Sequence, residues 1–496
     1  MSKLSIWLTP LWLLAVGVTL GALVLVILWA VLWLVHRPTA AAMLEGVREG
    51  VLQPISYVLI ALVALAILAS PAMPLQRMLN SLGRLPVIAK LTGGVAVGDQ
   101  PFKITVPPRS SDISIPVSFR SDELQGYSLE SEQDIAVNVE PKKGFIDPLI
   151  QVEGGQTYRW KPGGSLPRNF DGPIEQLYVT NESDLPTVVQ GVFQTDVEMP
   201  QVRQIPITAL GVIALYGLYF LIRLLAPKLS VIATATAKEA MSQPIYLLLL
   251  IIGVVALVAY IYIPYNTFGE DVKMLKTSGM TTIKVLAILV ALWTASMSVA
   301  EEIDGRTALT VLSKPVGRRQ FILGKYLGIL WPIVLLFIVL GVVFLFTVSY
   351  KVVYDARESA KTAPIWQACY VEVIRIVPGL ILAFFEAAIL AAISVAVSTR
   401  LSMLPNLVLC GSIYVLGHLA ALIVKSSVGE IVFVRFVGRL IAIVLPVLDH
   451  FEIEGAIAGS SVVPNSYLLT ALVYTILYCT AAMLVALILF EDRDLA

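Results

Sequence analysis

Side chains able to do covalent or redox chemistry are few in this chain and far apart. Histidine occurs three times, as His36, His418 and His450. There is no Ser/His/Asp arrangement, no paired histidine at metal spacing and no Gly-x-Ser-x-Gly turn. His418 lies in an apolar run, where an imidazole more often packs a helix contact than holds a ligand. His450 follows Asp449 and is the one weak candidate for a metal or proton role, because imidazole titrates near neutral pH. Cys369, Cys410 and Cys479 have no Cys-x-x-Cys spacing and read as small buried hydrophobes. Gly317 to Tyr326 imitates a phosphate-cradling Gly-x-x-x-x-Gly-Lys-Ser/Thr loop. Its spacing is wrong, however, and Tyr326 stands where the magnesium-binding hydroxyl belongs. The expectation is a chain without catalytic residues, resident metal or cofactor of its own, and not an enzyme.

Two places carry polar chemistry against an apolar background. Glu386 sits in Phe384-Phe385-Glu386-Ala387-Ala388, inside a long apolar run. A carboxylate in such a position usually faces a bundle interior or a water path. It reads either as a residue of a translocation path or gate, or as an acid that locks helices together. Ala387, Ala388, Ala391, Ala392 and Ser394 predict close helix contact around it. The second place is Glu301 to Tyr326, a charged segment between two apolar runs. On a helix, Glu302, Arg306, Thr307, Thr310 and Ser313 gather on one side, and Ile303, Ala308, Val311 and Leu312 on the other. Glu302 and Arg306 stand at i, i+4 in the favourable order. Pro315 and Gly317 end the helix and reverse the chain. This geometry predicts a short helix across the base of a bundle, joined to two long helices and showing a polar stripe to water. A solvated loop with basic anchors is the plainer alternative.

The elements that must position these residues follow from composition. Of 496 residues, 57% are hydrophobic and 14% charged, against about 25% charged in soluble domains; mean hydropathy is +0.83. The apolar residues fall in blocks of the roughly 20 residues that a helix needs to cross about 30 Å of hydrocarbon. Nine spans are expected, at about 6–35, 52–73, 206–226, 245–264, 281–299, 327–350, 370–398, 404–424 and 467–490. The net charge of zero argues against a nucleic-acid partner. Arg306, Lys314, Arg318, Arg319 and Lys325 form the strongest basic cluster near a span, which places that loop in the cytoplasm. By alternation the N-terminus is outside, residues 76–205 are outside and the C-terminus is cytoplasmic, in a multi-pass protein of the plasma or inner membrane.

The expected organisation is two spans over 1–75, a β-rich outer domain over 76–205, a third span over 206–228, and a six-helix core over 229–496. In the outer domain, Ile113 to Phe119, Ile135 to Val139 and Val188 to Val197 alternate apolar with polar residues, between turn clusters such as Lys142-Lys-Gly144. Short alternating strands with regular turns predict a β-sandwich or small barrel. Tyr158, Trp160 and Phe170 read as core aromatics rather than a binding patch. Residues 229–243 suggest a helix at the inner surface. Ile431 to Val447 is apolar but carries Arg435 and Arg439, which favours a re-entrant or surface helix over a span.

The pattern Glu302-x-x-Gly305-x-Thr307-x-x-x-x-Leu312-Ser313-x-Pro315-Val316-x-Arg318-Arg319, followed by Gly324-Lys325, resembles the coupling segment of type-2 ABC transporter permeases. The branch it looks most like is that of multicopper-enzyme-maturation and gliding-motility permeases. The tail Phe490-Glu491-Asp492-Arg493-Asp494-Leu495 is similar in part to theirs, as is the stretch Leu445 to Phe451. Asp304, where the family has glutamine or lysine, and Arg306, between Gly305 and Thr307, depart from the pattern. The resemblance spans about 229–496. It implies six core helices and a second permease copy, alike or different. It also implies a separate cytoplasmic ATPase subunit that binds ATP and magnesium and docks on the segment around Glu302 to Arg319, and it favours export. Two other readings remain: a membrane-anchored scaffold acting through the outer domain, and an ion-coupled carrier, which would need more intramembrane charge and inverted repeats than the sequence displays.

Overall fold

A computed structural model describes residues 3–91, 98–141, 148–161, 167, 169–263, 270–305, 316–360, 362–425, 436, 445–453, 455–456 and 463–491. The chain divides into two compact units, Met73–Gln204 and the remainder, Met1–Ala72 with Ile205–Ala496.

The larger unit is a helical bundle. Its helices are α1 (Lys3–Val35), α2 (Arg37–Arg48), α3 (Leu52–Ala69), α5 (Gln204–Leu225), α6 (Pro227–Ser242), α7 (Pro244–Tyr262), α8 (Asp271–Ala295), α9 (Arg318–Glu358), α10 (Trp366–Ile374), α11 (Val377–Ser398), α12 (Met403–Lys425) and α13 (Asn465–Glu491); α4 belongs to the other unit. Among the described residues, eight helical stretches are long and apolar enough to cross a membrane. Their length and hydropathy are those of membrane spans. The ninth expected span corresponds to α12, where Met403–Leu419 is a shorter apolar helix.

Two boundaries differ from the hydropathy reading for physical reasons. Helix α8 begins at Asp271, about ten residues before the expected span, because Asp271, Lys273 and Lys276 depress the hydropathy of a stretch that is nonetheless helical. The expected span 370–398 is two helices, broken at Arg375 and Ile376, just before Pro378 in the first turn of α11. Proline suits a first turn, where its missing N–H leaves no bond unmade.

Burial ranks the helices. The most apolar window of α8 is 78% buried and that of α10–α11 is 72%, whereas α7 and α13 reach 22% each, so α8 and α11 form the centre of the bundle. Glycines allow the closest approaches. In Gly324-x-x-x-Gly328 of α9, a Cβ on Gly328 would lie 2.6 Å from Thr236 Cβ and one on Gly324 would lie 2.8 Å from Ile232 Cβ, both on α6. Helix α6, expected as a surface helix, therefore buries Ile232, Ala233, Thr236, Ala237 and Ala240. Small-xxx-small spacing of this kind is the usual means of bringing two helix backbones together in lipid.

Contacts fix the helix directions. Trp7 of α1 packs on Tyr350 and Phe346 near the end of α9, and Trp12 Nε1 donates to Ala66 O of α3 at 2.9 Å. The start of α1, the end of α3, the start of α8 and the end of α9 thus share one end of the bundle. The end of α8, the start of α9 and the end of α13 share the other. Helix α12 starts beside the end of α11, where Asn406 reaches Ser398. Helix α12 therefore ends, and α13 begins, on the first side; Arg435, Arg439 and most of the sequence between them lie outside the described residues.

The smaller unit is a sandwich of two antiparallel four-stranded sheets, preceded by α4 (Leu75–Leu91). The strands are β1 (Gly98–Val106), β2 (Ser110–Arg120), β3 (Leu124–Ser131), β4 (Ile135–Asn138), β5 (Ile150–Val152), β6 (Thr157–Trp160), β7 (Pro173–Asn181) and β8 (Thr187–Thr195). One sheet has the order β1-β8-β3-β6 and the other β2-β7-β4-β5. Alternation sets the faces: Ile115, Val117 and Phe119 of β2 and Val189 and Phe193 of β8 point into the core. Trp160 and Phe170 are buried there, with Tyr158 packed against them, as expected of core aromatics. Gly191 is required at its position, since a Cβ would meet the Phe102 ring at 2.7 Å and Leu129 at 2.8 Å.

Candidate functional site

The turn between α8 and α9 is pinned at its base. Helix α8 runs into a π-helical turn over Ser296–Glu301 and a further turn, Glu302–Asp304, where Gly305 N–H donates to Glu301 O at 2.8 Å. Glu302 Oε1 accepts from Lys325 Nζ at 2.5 Å, joining the end of α8 to the second turn of α9. Arg318 Nη1 donates to Glu491 O at 2.7 Å, and its guanidinium lies 6.0 Å from the Phe490 ring, which stacks on Phe321 at 5.7 Å. Arg319 is exposed. The turn thus engages three helices within a few residues. Of the residues expected to dock an ATPase, Glu302, Gly305, Arg318 and Arg319 are described. Arg306, Thr307, Thr310, Leu312, Ser313 and Pro315 lie outside the described residues.

A line of buried polar groups runs along α8. Near its start, Asp271 faces Lys351 of α9 at 3.5 Å, and Lys351 also donates to Ile261 O at 3.0 Å. A turn further, Lys276 pairs with Glu372 of α10, which also pairs with Arg375 at 3.2 Å. Deeper still, Lys284 stands 4.0 Å from Glu386 of α11, and His418 of α12 stands 3.3 Å from the same carboxylate. Glu386 is fully buried and Lys284 is 6% exposed. Beyond these, Asn406 Nδ2 lies within 2.8–2.9 Å of the hydroxyls of Ser296, Ser394 and Ser398, and Cys410 Sγ donates to Asn406 Oδ1 at 3.2 Å. Ser296 opens the π-helical turn, a helix irregularity often found at functional sites.

The energetics say why such a line is unusual. An ion pair 4 Å apart gains about 4 kcal/mol at an effective dielectric of about 20. Removing each ion from water costs several kcal/mol. Attraction does not repay that cost, so α8 with apolar residues at these places would pack at least as well. Charges retained inside a bundle more often serve a path, a relay or a switch.

Glu386 was visible in the sequence; its two partners were not singled out as such. Lys284 lay inside an expected span and, like Lys276 and Lys351, was itself a signal of buried charge. His450 lies in the turn Leu448–Phe451, where its carbonyl accepts from Tyr467 at 2.5 Å. Among the described residues no group of three His, Cys, Asp or Glu side chains could hold a metal. Cys369, Cys410 and Cys479 are buried and free of disulfides.

No protein-family model matches the chain, and neither does any curated protein or solved structure.

Proposed function

We propose that this chain is the membrane-spanning permease subunit of an ATP-binding-cassette transporter, and an exporter. A separate ATPase subunit docks on the turn around Glu302 to Arg319. It binds the ATP and magnesium, and a second permease copy completes the pathway. The observation that carries this reading is the clamp at the base of the turn: Glu302 to Lys325, and Arg318 to the end of α13. A subunit pressing on such a turn moves α8, α9 and α13 together, which is the rigid-body change an alternating-access transporter needs. The resemblance of the 302–325 pattern to permease coupling segments points the same way. In this reading the turn and the C-terminus face the cytoplasm, and the N-terminus and the β-sandwich face outward across a plasma or inner membrane.

The test is co-purification. The intact chain should capture a cytoplasmic ATPase from its own cell, and joint replacement of Arg306, Thr307 and Thr310 by alanine should abolish that capture without loss of the folded chain. Capture of no ATPase, or ATP hydrolysis by the purified chain alone, would overturn the proposal.

A further inference from the structure

Glu386 is the only acid in the apolar stretch of α11, yet it faces bases on two other helices. Lys284 Nζ on α8 lies 4.0 Å from Oε2, and His418 Nε2 on α12 lies 3.3 Å from Oε1. The neighbouring elements add weaker acids. On α12 the Tyr414 ring lies 4.7 Å from that of His418. On α9 the Tyr326 hydroxyl donates to Ala388 O at 3.3 Å, two residues from Glu386, and Cys479 of α13 lies beside Tyr326.

Counting protons limits what the cluster can do. With one proton shared between the two bases, the cluster is neutral, and either Lys284 or His418 is the cation. A second proton makes both bases cationic around one carboxylate and leaves a net charge of one. Of the groups present, only imidazole exchanges protons near neutral pH in its ordinary state. His418 is also the exposed member, at 18%, while Lys284 is at 6% and Glu386 at zero. A proton entering the cluster from its less buried side therefore meets His418 first.

We propose that Lys284, Glu386 and His418 form a proton-binding site inside the bundle, with His418 as the group that takes up the proton from water. Uptake gives Glu386 a second cationic partner and draws α12 onto α11, while Lys284 keeps α8 on the other side. Release loosens α12 alone. The site thus converts one proton into a change in the contact between two specific helices. It goes beyond the docking of an ATPase, since every group involved belongs to this chain and none lies in the 302–319 turn.

The experiment uses the intact chain in lipid nanodiscs, labelled with nitrogen-15 histidine and with no ATPase present. Three histidines give three sets of ring signals, and His418→Gln identifies one of them by difference. The expected result is that His418 passes from neutral imidazole to imidazolium as pH is lowered from about 9 to about 5. Its midpoint should move by about 1–3 pH units on removing a charge this close, in opposite senses for Glu386→Gln and Lys284→Met, while His36 and His450 are unmoved. Two variants of opposite sign keep the test decisive where one of them fails to fold. His418 neutral throughout, or one midpoint shared by wild type and both variants, overturns the proposal. Neither result bears on ATPase capture, and loss of capture leaves the titration of His418 unaltered, so the two readings fail separately.

Discussion

Lys325 Nζ meets Glu302 Oε1 at 2.5 Å, and this contact joins the end of α8 to the start of α9. Both side chains are mostly buried, at 6% and 22% exposure. Removing one partner strands the other, which costs about 3 kcal/mol for a buried pair. Lys325→Met and Glu302→Gln should each lower the thermal midpoint of the detergent-solubilised chain. The double variant should lose less than the two single losses added together. Additive losses would show that the pair does not couple.

Gly328 has no room for a side chain, because Thr236 Cβ would lie 2.6 Å from its Cβ. Gly328→Val should force α6 away from α9 and cost about 1–3 kcal/mol, the usual penalty of overpacking. Gly211, which has open space around it, is the matched control. Hydrogen exchange in α6 should rise in Gly328→Val and stay unchanged in Gly211→Ala.

In the sandwich unit, Arg84 of α4 grips Glu123 through two bonds of 2.7 and 2.9 Å, and the Arg120 N–H donates to the same carboxylate at 3.2 Å. Glu123 is 4% exposed. Hydrogen bonds to a charged group are worth about 1.5–3 kcal/mol each. Glu123→Ala should therefore weaken the unit by about 3 kcal/mol or more. The check is hydrogen exchange across β3 and β8, which should quicken while exchange in α11 is unaffected.

Asp196 supplies a pH dependence in the same unit. Burial raises its carboxyl above the ordinary value of 3.8, and Arg203, bonded at 2.5 Å, only partly opposes this. A carboxyl raised on folding stabilises fully below its unfolded value, and that contribution is lost as pH rises through the folded value. Stability of the sandwich unit should thus fall as pH climbs through the window above 3.8. Asp196→Asn should flatten the fall, as read from exchange rates in β8 at several pH values. An equal slope in both proteins would count against this assignment.

The long helices and several strands were legible because each is a local pattern. Apolar runs of span length marked eight helices, and alternation in Ile113 to Phe119 and Val188 to Val197 marked β2 and β8. Hydropathy misjudged the start of α8, since a window that averages Lys276 with its neighbours cannot know that Glu372 neutralises it. Glu386 stood out as a single acid in an apolar run. Its partners stand 102 and 32 positions away in sequence, Lys284 on one helix and His418 on another, and nothing local announces the pairing. Neither Gly324-x-x-x-Gly328 nor its packing on α6 was singled out in the sequence, because Ala and Thr on α6 are too small to give a strong hydropathy signal. The expected docking residues Arg306 to Pro315 remain a reading of the sequence, as they lie outside the described residues.

Helix α9 runs for 41 residues with Pro332 inside it, so it is about 60 Å long, twice the thickness of a bilayer's oily layer. One tip is gripped by Glu302 and α6, the other by Trp7 and Asp271. A helix of that length, moving as one body, is a lever: a tilt of about 5° at the near tip displaces the far tip by about 5 Å. Whatever touches the near tip need not reach across the protein, because the rod delivers its motion to the opposite face.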